Sequence, residues 1–241
     1  MRWVSIILMG WLAAGAAGQA AQTQARLLLD HEAARPGQTV WAGVQLRMPD
    51  RWHTYWRNAG DSGAPTKIDW TLPPGVTAGP IHWPVPEKYF DKASGLTTYV
   101  YHHEAVLLVP LTLAGNLAPG SLTIQAKVAW LECESLCLPG KAEVQARLAI
   151  GDQPKPSSEA ALLQAAQKRL PREEPKLAAK ASWQKPLGDE TRSLLIEWQP
   201  IQASAKFDFY PYGSDNLEIA GDTESVAAPA GKARLRKQIK K

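Results

Sequence analysis

The sequence predicts an antiparallel β-sandwich, followed by a linker helix and a second, smaller β unit. Three observations predict it. Short alternating or apolar runs recur through residues 26–150, clusters of turn-forming residues separate them, and a single Ala- and Leu-rich helical pattern interrupts the strand patterns between Gly151 and Lys180.

The chain opens on an export signal. Arg2 supplies a positive start, Trp3–Ala14 an apolar stretch, and Gly18-Gln19-Ala20 the small residues at which a signal peptidase cuts, so residues 1–25 read as a leader. The apolar stretch is shorter than the ~20 residues that span a bilayer. The mature product is therefore expected to be soluble, in an oxidising compartment such as a bacterial periplasm.

Strand patterns follow at Arg26–Leu29, Thr39–Arg47, Thr66–Leu72, Val106–Leu113, Ser121–Glu132 and Lys141–Ile150. Pro36-Gly37, Pro49-Asp50, Asp61-Ser62-Gly63, Pro73-Pro74-Gly75 and Ala118-Pro119-Gly120 supply the turns between them. Leu122–Trp130 and Ala142–Leu148 each alternate with period two, so they pair as a hairpin with Cys133 and Cys137 at its end. Pro154 and Pro156 then lead into Ser157 or Ser158 as a helix N-cap, and the helix runs to Leu170 before Pro171 stops it. The organisation is a leader (1–25), a sandwich (26–150), a linker with one helix (151–181) and a second β unit (182–241). Strand patterns in the last unit fall at Ser193–Trp198, Lys206–Tyr210, Asn216–Ile219 and Arg234–Ile239. About 60 residues is small for an independent sandwich, and the chain stops inside a basic strand-like run, so this unit is expected to be incomplete.

Composition narrows the function. A hydrophobic content of 45% supports a core. The 27 Lys and Arg against 23 Asp and Glu leave a formal charge of +4, much of it in the last ten residues, so no nucleic-acid partner is expected. There is no Gly-x-Ser-x-Gly elbow, no phosphate-binding glycine loop and no His-Glu-x-x-His.

The two cysteines of the chain lie in Trp130-Leu-Glu-Cys-Glu-Ser-Leu-Cys-Leu-Pro-Gly140. In an exported protein such a pair is either a structural disulfide or a redox pair. A bridge closing so short a loop contributes about 2 kcal/mol in the chain-entropy model, less than half the value for a loop of ~100 residues. As a redox pair it is well placed, because exchange needs in-line access to one sulfur. Glu132 and Glu134 flank Cys133 and are expected to raise its thiol pKa. The disulfide is then the form attacked, by an incoming thiolate.

Two further constellations stand beside the pair. Trp52, Tyr55 and Trp56 precede a polar glycine-rich turn, a run too bulky and polar for a plain strand; Trp52 and Trp56 either plug the end of the core or form an aromatic rim for a partner. His53, His82, His102 and His103, with the cysteines, could ligate Cu(I) or Zn(II), but their spacing matches no closed site, and neither metal nor cofactor is expected. A copper-binding or protein-binding sandwich with a structural bridge is the alternative reading.

The ordered set Trp52-His-Thr-Tyr-Trp-Arg-Asn-Ala-Gly-Asp-Ser-Gly63, Ile68-Asp-Trp-Thr-Leu-Pro-Pro-Gly75, His82-Trp-Pro-Val-Pro86, Tyr99-Val-Tyr101 and Cys133 to Gly140 resembles the N-terminal periplasmic domain of DsbD/ScsB-type thiol:disulfide interchange proteins. The resemblance spans Arg26 to Ile150. It implies an immunoglobulin-like domain, a component of a protein-disulfide reductase, whose cysteine pair takes electrons from a membrane-embedded segment or subunit and hands them to periplasmic thioredoxin-like proteins. It also implies a setting in cytochrome c biogenesis or copper tolerance, and a cap over the cysteines that Tyr89-Phe90-Asp91 supplies here, with Phe90 as the shielding ring. The chain departs from the family's best-studied members in placing fewer residues between its cysteines.

Overall fold

The alternating runs fold into two facing sheets. The computed structural model describes residues 21–174, 177–185, 191–200, 207–213 and 216–240; the expected leader through Ala20 and the start of the strand expected at Lys206 lie outside them. The sandwich holds β1 (Gln24–Leu29), β2 (His31–Ala34), β3 (Thr39–Arg47), β4 (His53–Gly60), β5 (Lys67–Thr71), β6 (Val76–Ala78), β7 (Glu87–Asp91) and β8 (Leu96–His102). It continues with β9 (Glu104–Leu113), β10 (Gly120–Cys133), β11 (Cys137–Ile150) and a short β12 (Lys155–Pro156), and the helix α1 (Ala160–Lys168) follows. One sheet is ordered β1-β3-β9-β6; the other is ordered β12-β2-β11-β10-β4-β8-β7, with β5 also on β10. Among the named strands only β2 on β11 is parallel. The architecture is an immunoglobulin-like antiparallel sandwich.

Period-two alternation makes the core. Ile124, Ala126, Val128 and Trp130 of β10 join Val40, Ala42, Val44 and Leu46 of β3 in one buried cluster, while Gln125, Lys127 and Ala129 face out. Each such aliphatic side chain contributes about 1.5–3 kcal/mol on full burial. Gly140 on β11 is needed because a Cβ there would lie 2.2 Å from the Trp130 indole. Gly43 likewise leaves room on the other side of β3 for Leu163, whose Cδ2 would be 2.3 Å from an added Cβ. Through Leu163, α1 packs on Leu28, Val106 and Leu108. Its N-cap is Glu159, without a side-chain cap bond, not the expected serine. Ser157 instead ties the preceding turn to β1, its Oγ donating to Leu29 O at 2.5 Å and accepting from Glu159 N at 3.1 Å.

A third sheet contains β13 (Lys180–Trp183), β14 (Thr191–Trp198), β15 (Glu218–Ile219), β16 (Glu224–Ser225) and β17 (Ala233–Lys240). The strand expected over Lys206–Tyr210 is absent from its described part, since residues 207–210 carry no strand pairing. This unit docks on the sandwich through the rings of Tyr210 and Tyr212, which meet Trp56, and through polar contacts. Tyr99 Oη donates to Gly221 O at 2.7 Å, Asp61 accepts from Gly221 N at 2.7 Å, and Asn58 Nδ2 donates to Pro211 O at 2.9 Å. Lys237, 1% exposed, donates to Tyr99 Oη at 2.7 Å, Gly221 O at 2.8 Å and Thr223 Oγ1 at 3.1 Å. Burial, reinforced by the nearby Lys88, lowers the Lys237 pKa to about 8.

Two sequence expectations are corrected at the strand level. The stretch from His53 to Gly60, within a run expected to be too bulky and polar for a plain strand, is β4, and β1 begins at Gln24, inside the expected leader. His53 to Trp56 are all buried, so both faces of the strand are covered and the polar–apolar alternation that marks a half-buried strand is lost. Among the described residues no helix is long and apolar enough to cross a membrane.

Candidate functional site

The hairpin register decides what surrounds the cysteines. Cys133 and Cys137 are directly paired across β10 and β11 and form a disulfide. On the other side of β10, Cys133 is opposite His53 of β4, and His53 is opposite His102 of β8. Residues directly opposite one another share a face, and residues two apart along a strand do too. Cys133, His53, Tyr55 and Val100 therefore lie on one side of the sheet, while Trp56, Tyr99 and Trp130 point into the main core. Cys133 packs in a separate small cluster with Tyr55, Ala59 and Val100.

The two cysteines differ in exposure. Cys133 is 4% exposed, whereas Cys137 is exposed beside Leu136, which is 63% exposed. They border a cavity of about 360 Å³ lined also by His53, Tyr55, Tyr89 and Asp91. Tyr55 Oη donates to Cys133 Sγ at 3.0 Å and lies 4.0 Å from Cys137 Sγ, and His53 Nε2 is 3.3 Å from the same oxygen. Burial, with His102 adding to it, lowers the His53 pKa to about 4, so the ring is neutral. Burial raises the Tyr55 pKa.

The flanking carboxylates have partners of their own. Glu132 points to the opposite face, where it accepts from Thr23 N at 2.9 Å, from Trp130 Nε1 at 2.8 Å and from Gln22 N. Burial would raise its pKa, but these bonds outweigh it and hold the carboxyl below the usual range. Glu134 pairs with Arg51 and accepts from Ser135 N at 2.7 Å; the bonds from Ser135, then Arg51, lower its pKa. Glu132 is thus turned away from Cys133, while Glu134, paired with Arg51, borders the same cavity as the cysteines.

The aromatic assignments are redistributed. In β7 the alternation places Tyr89 and Asp91 on the side of the cysteines and Phe90 on the other, 56% exposed and outside the cavity. Of this stretch it is Tyr89 whose ring lines the cavity, meeting the His53 ring at 5.9 Å and that of His102 at 6.2 Å. Trp56 is a core residue, 3% exposed and edge-on to Tyr99 at 5.9 Å, and Trp52 packs partly buried against the same core. Neither forms a rim around the sulfurs. His82 lies apart, against Trp41, and among the described residues no group of three or more His, Cys, Asp or Glu could hold a metal ion. Tyr55 was inside the quoted motif, yet its place on the sulfur needed the strand assignment of β4.

A disulfide at a hairpin tip on the outer face of an immunoglobulin-like sandwich, with Cys133 buried and Cys137 exposed, defines the class of domain. The chain belongs to the family described as the N-terminal domain of the thiol:disulfide interchange protein DsbD, whose model matches residues 24–149, just over half of its length. A search of the curated proteins found no match. Among solved structures, the N-terminal periplasmic domain of ScsB from Proteus mirabilis aligns with a TM-score of 0.66 at 16% identity, over 95% of this chain and 83% of that one, a likeness of fold. A cohesin–dockerin complex from Clostridium thermocellum aligns over 53% of this chain and 99% of that one at 8% identity, with a TM-score of 0.29 that carries no argument.

Proposed function

We propose that this chain is a periplasmic thiol:disulfide exchange module in which Cys133 and Cys137 are the redox pair. The observation that carries the reading is the asymmetry of the sulfurs: exchange requires a thiolate to approach along the S–S axis, and Cys137 is open to that approach while Cys133 is covered. A thiolate of a reduced donor attacks Cys137, and Cys133 departs with the electron pair. The donor's second thiolate then releases Cys137, so the donor leaves oxidised and the pair is left reduced, holding two electrons. The donor is a membrane electron-transfer segment or subunit, and the recipients are periplasmic thioredoxin-like proteins. The leader-like start of the sequence and the periplasmic setting of the ScsB domain support the location. Tyr89 and Asp91 serve as the cap, and the exposed Leu136 beside Cys137 offers an apolar contact to a docking partner.

The test is the reduction potential of the pair, measured by equilibration with glutathione or a dithiol buffer. A value within the thioredoxin-like range of about −270 to −120 mV supports exchange. A value well below about −300 mV identifies a structural bridge and ends the proposal.

A further inference from the structure

When the disulfide opens, Cys133 becomes an anion in a small cluster with Val100, Ala59 and Leu131. An apolar surrounding disfavours a thiolate and raises its pKa. The hydroxyl of Tyr55, 3.0 Å from Cys133 Sγ, is placed to offset this. A tyrosine has one hydroxyl proton; once that proton is directed at sulfur, the oxygen is left as an acceptor. His53 Nε2, 3.3 Å away, then serves as the donor to that oxygen, which fixes the ring as the Nε2–H tautomer. The result is a directed chain, His53 Nε2–H to Tyr55 Oη–H to Cys133 Sγ.

Resting on the exchange reading above, we propose that Tyr55 is a positioning residue for Cys133, donating a hydrogen bond to the departing thiolate, and that His53 aligns the Tyr55 hydroxyl. In the first step the donor's sulfur bonds to Cys137 Sγ, the Cys133–Cys137 bond breaks, and its electron pair goes to Cys133 Sγ. No proton moves in that step. The Tyr55 bond becomes charge-assisted, of the stronger kind that forms between a neutral donor and an anion. In the second step the donor's other thiolate attacks its own sulfur in the mixed disulfide, and Cys137 departs as the second thiolate. Both thiolates then take protons from water.

The test separates this role from the exchange reading itself. In a Cys137→Ser background, the pH dependence of Cys133 alkylation reports its thiol pKa. Tyr55→Phe is expected to raise that pKa so that the thiolate fraction at neutral pH falls about tenfold, and to slow exchange with a thioredoxin-like dithiol by a similar factor in the two-cysteine protein. His53→Phe should move the profile the same way but less, and His53→Gln, which keeps a donor, should restore it. These single-thiol profiles do not depend on any partner. If the unmutated protein fails to exchange, the proposed function falls. If it exchanges and Tyr55→Phe leaves both profile and rate unchanged, the role of Tyr55 is overturned. Should Tyr55→Phe not fold, an unchanged profile in folded His53→Phe overturns it.

Discussion

Acid should weaken this domain through His53. Its pKa falls from an ordinary 6.5 to about 4 on folding, because the ring is buried and faces His102. A histidine with a depressed folded pKa is neutral in both states above 6.5, so stability is full there; below 6.5 the unfolded chain takes up a proton that the folded one refuses, and stability is lost as pH falls towards 4. The complete loss is about 3 kcal/mol, of which about 2 kcal/mol has gone by pH 5. The lowered carboxyl groups of Glu132 and Asp208 act below about pH 5. Urea unfolding of wild type and His53→Gln at pH 7.5 and pH 5, under oxidising conditions, gives the difference directly. The variant should lose about 2 kcal/mol less than wild type over that interval. Equal losses would mean that the imidazole is not held neutral beside the disulfide, and the hydrogen-bond direction assigned to Tyr55 would go with it.

The double replacement Cys133→Ser with Cys137→Ser should abolish thiol exchange while lowering stability by no more than about 2 kcal/mol, read by chemical denaturation; retained exchange would remove the pair from the site. Tyr89→Ala should speed alkylation of the reduced pair by a small reagent several-fold, whereas Phe90→Ala should leave it unchanged, and the opposite ranking would restore Phe90 as the shield. Lys237→Met should flatten the pH profile of stability, because it removes a charge that burial penalises while also losing the bonds to Tyr99, Gly221 and Thr223. In the unmutated protein that penalty is present below pH 8 and is relieved as pH rises towards 10.5, so its stability should climb between pH 8 and 9.5 while that of the variant stays flat.

Much of the fold was legible because half-buried strands announce themselves. The run Thr39–Arg47 has the bounds that the structure gives it, and the pairing of Leu122–Trp130 with Ala142–Leu148 is the centre of the β10–β11 hairpin. β4 and β8 were not legible, because burial on both faces erases alternation and because His53, Thr54, Thr97 and Thr98 are polar yet buried. At the site, the sequence pointed to the cysteines and to the 89–91 stretch. It did not say which ring faces the sulfurs, since that depends on the register of β7 against β8. Nor does the bare sequence say where Glu132 points: adjacent residues of a strand face opposite ways, and its neighbour Cys133 faces the cavity.

The direct pairing of Cys133 with Cys137 also bears on how often the domain can be used. The fourteen-residue strands on either side are held by backbone bonds from Gly120↔Ile150 down to the tip, and none of those bonds passes through sulfur. Opening the bridge therefore removes one crosslink at the end of a ladder that stands without it. A protein that had to rebuild its core after every electron pair would spend each turnover exposed to misfolding, whereas under the proposed exchange oxidation and reduction would amount to a local change at one end of a standing scaffold.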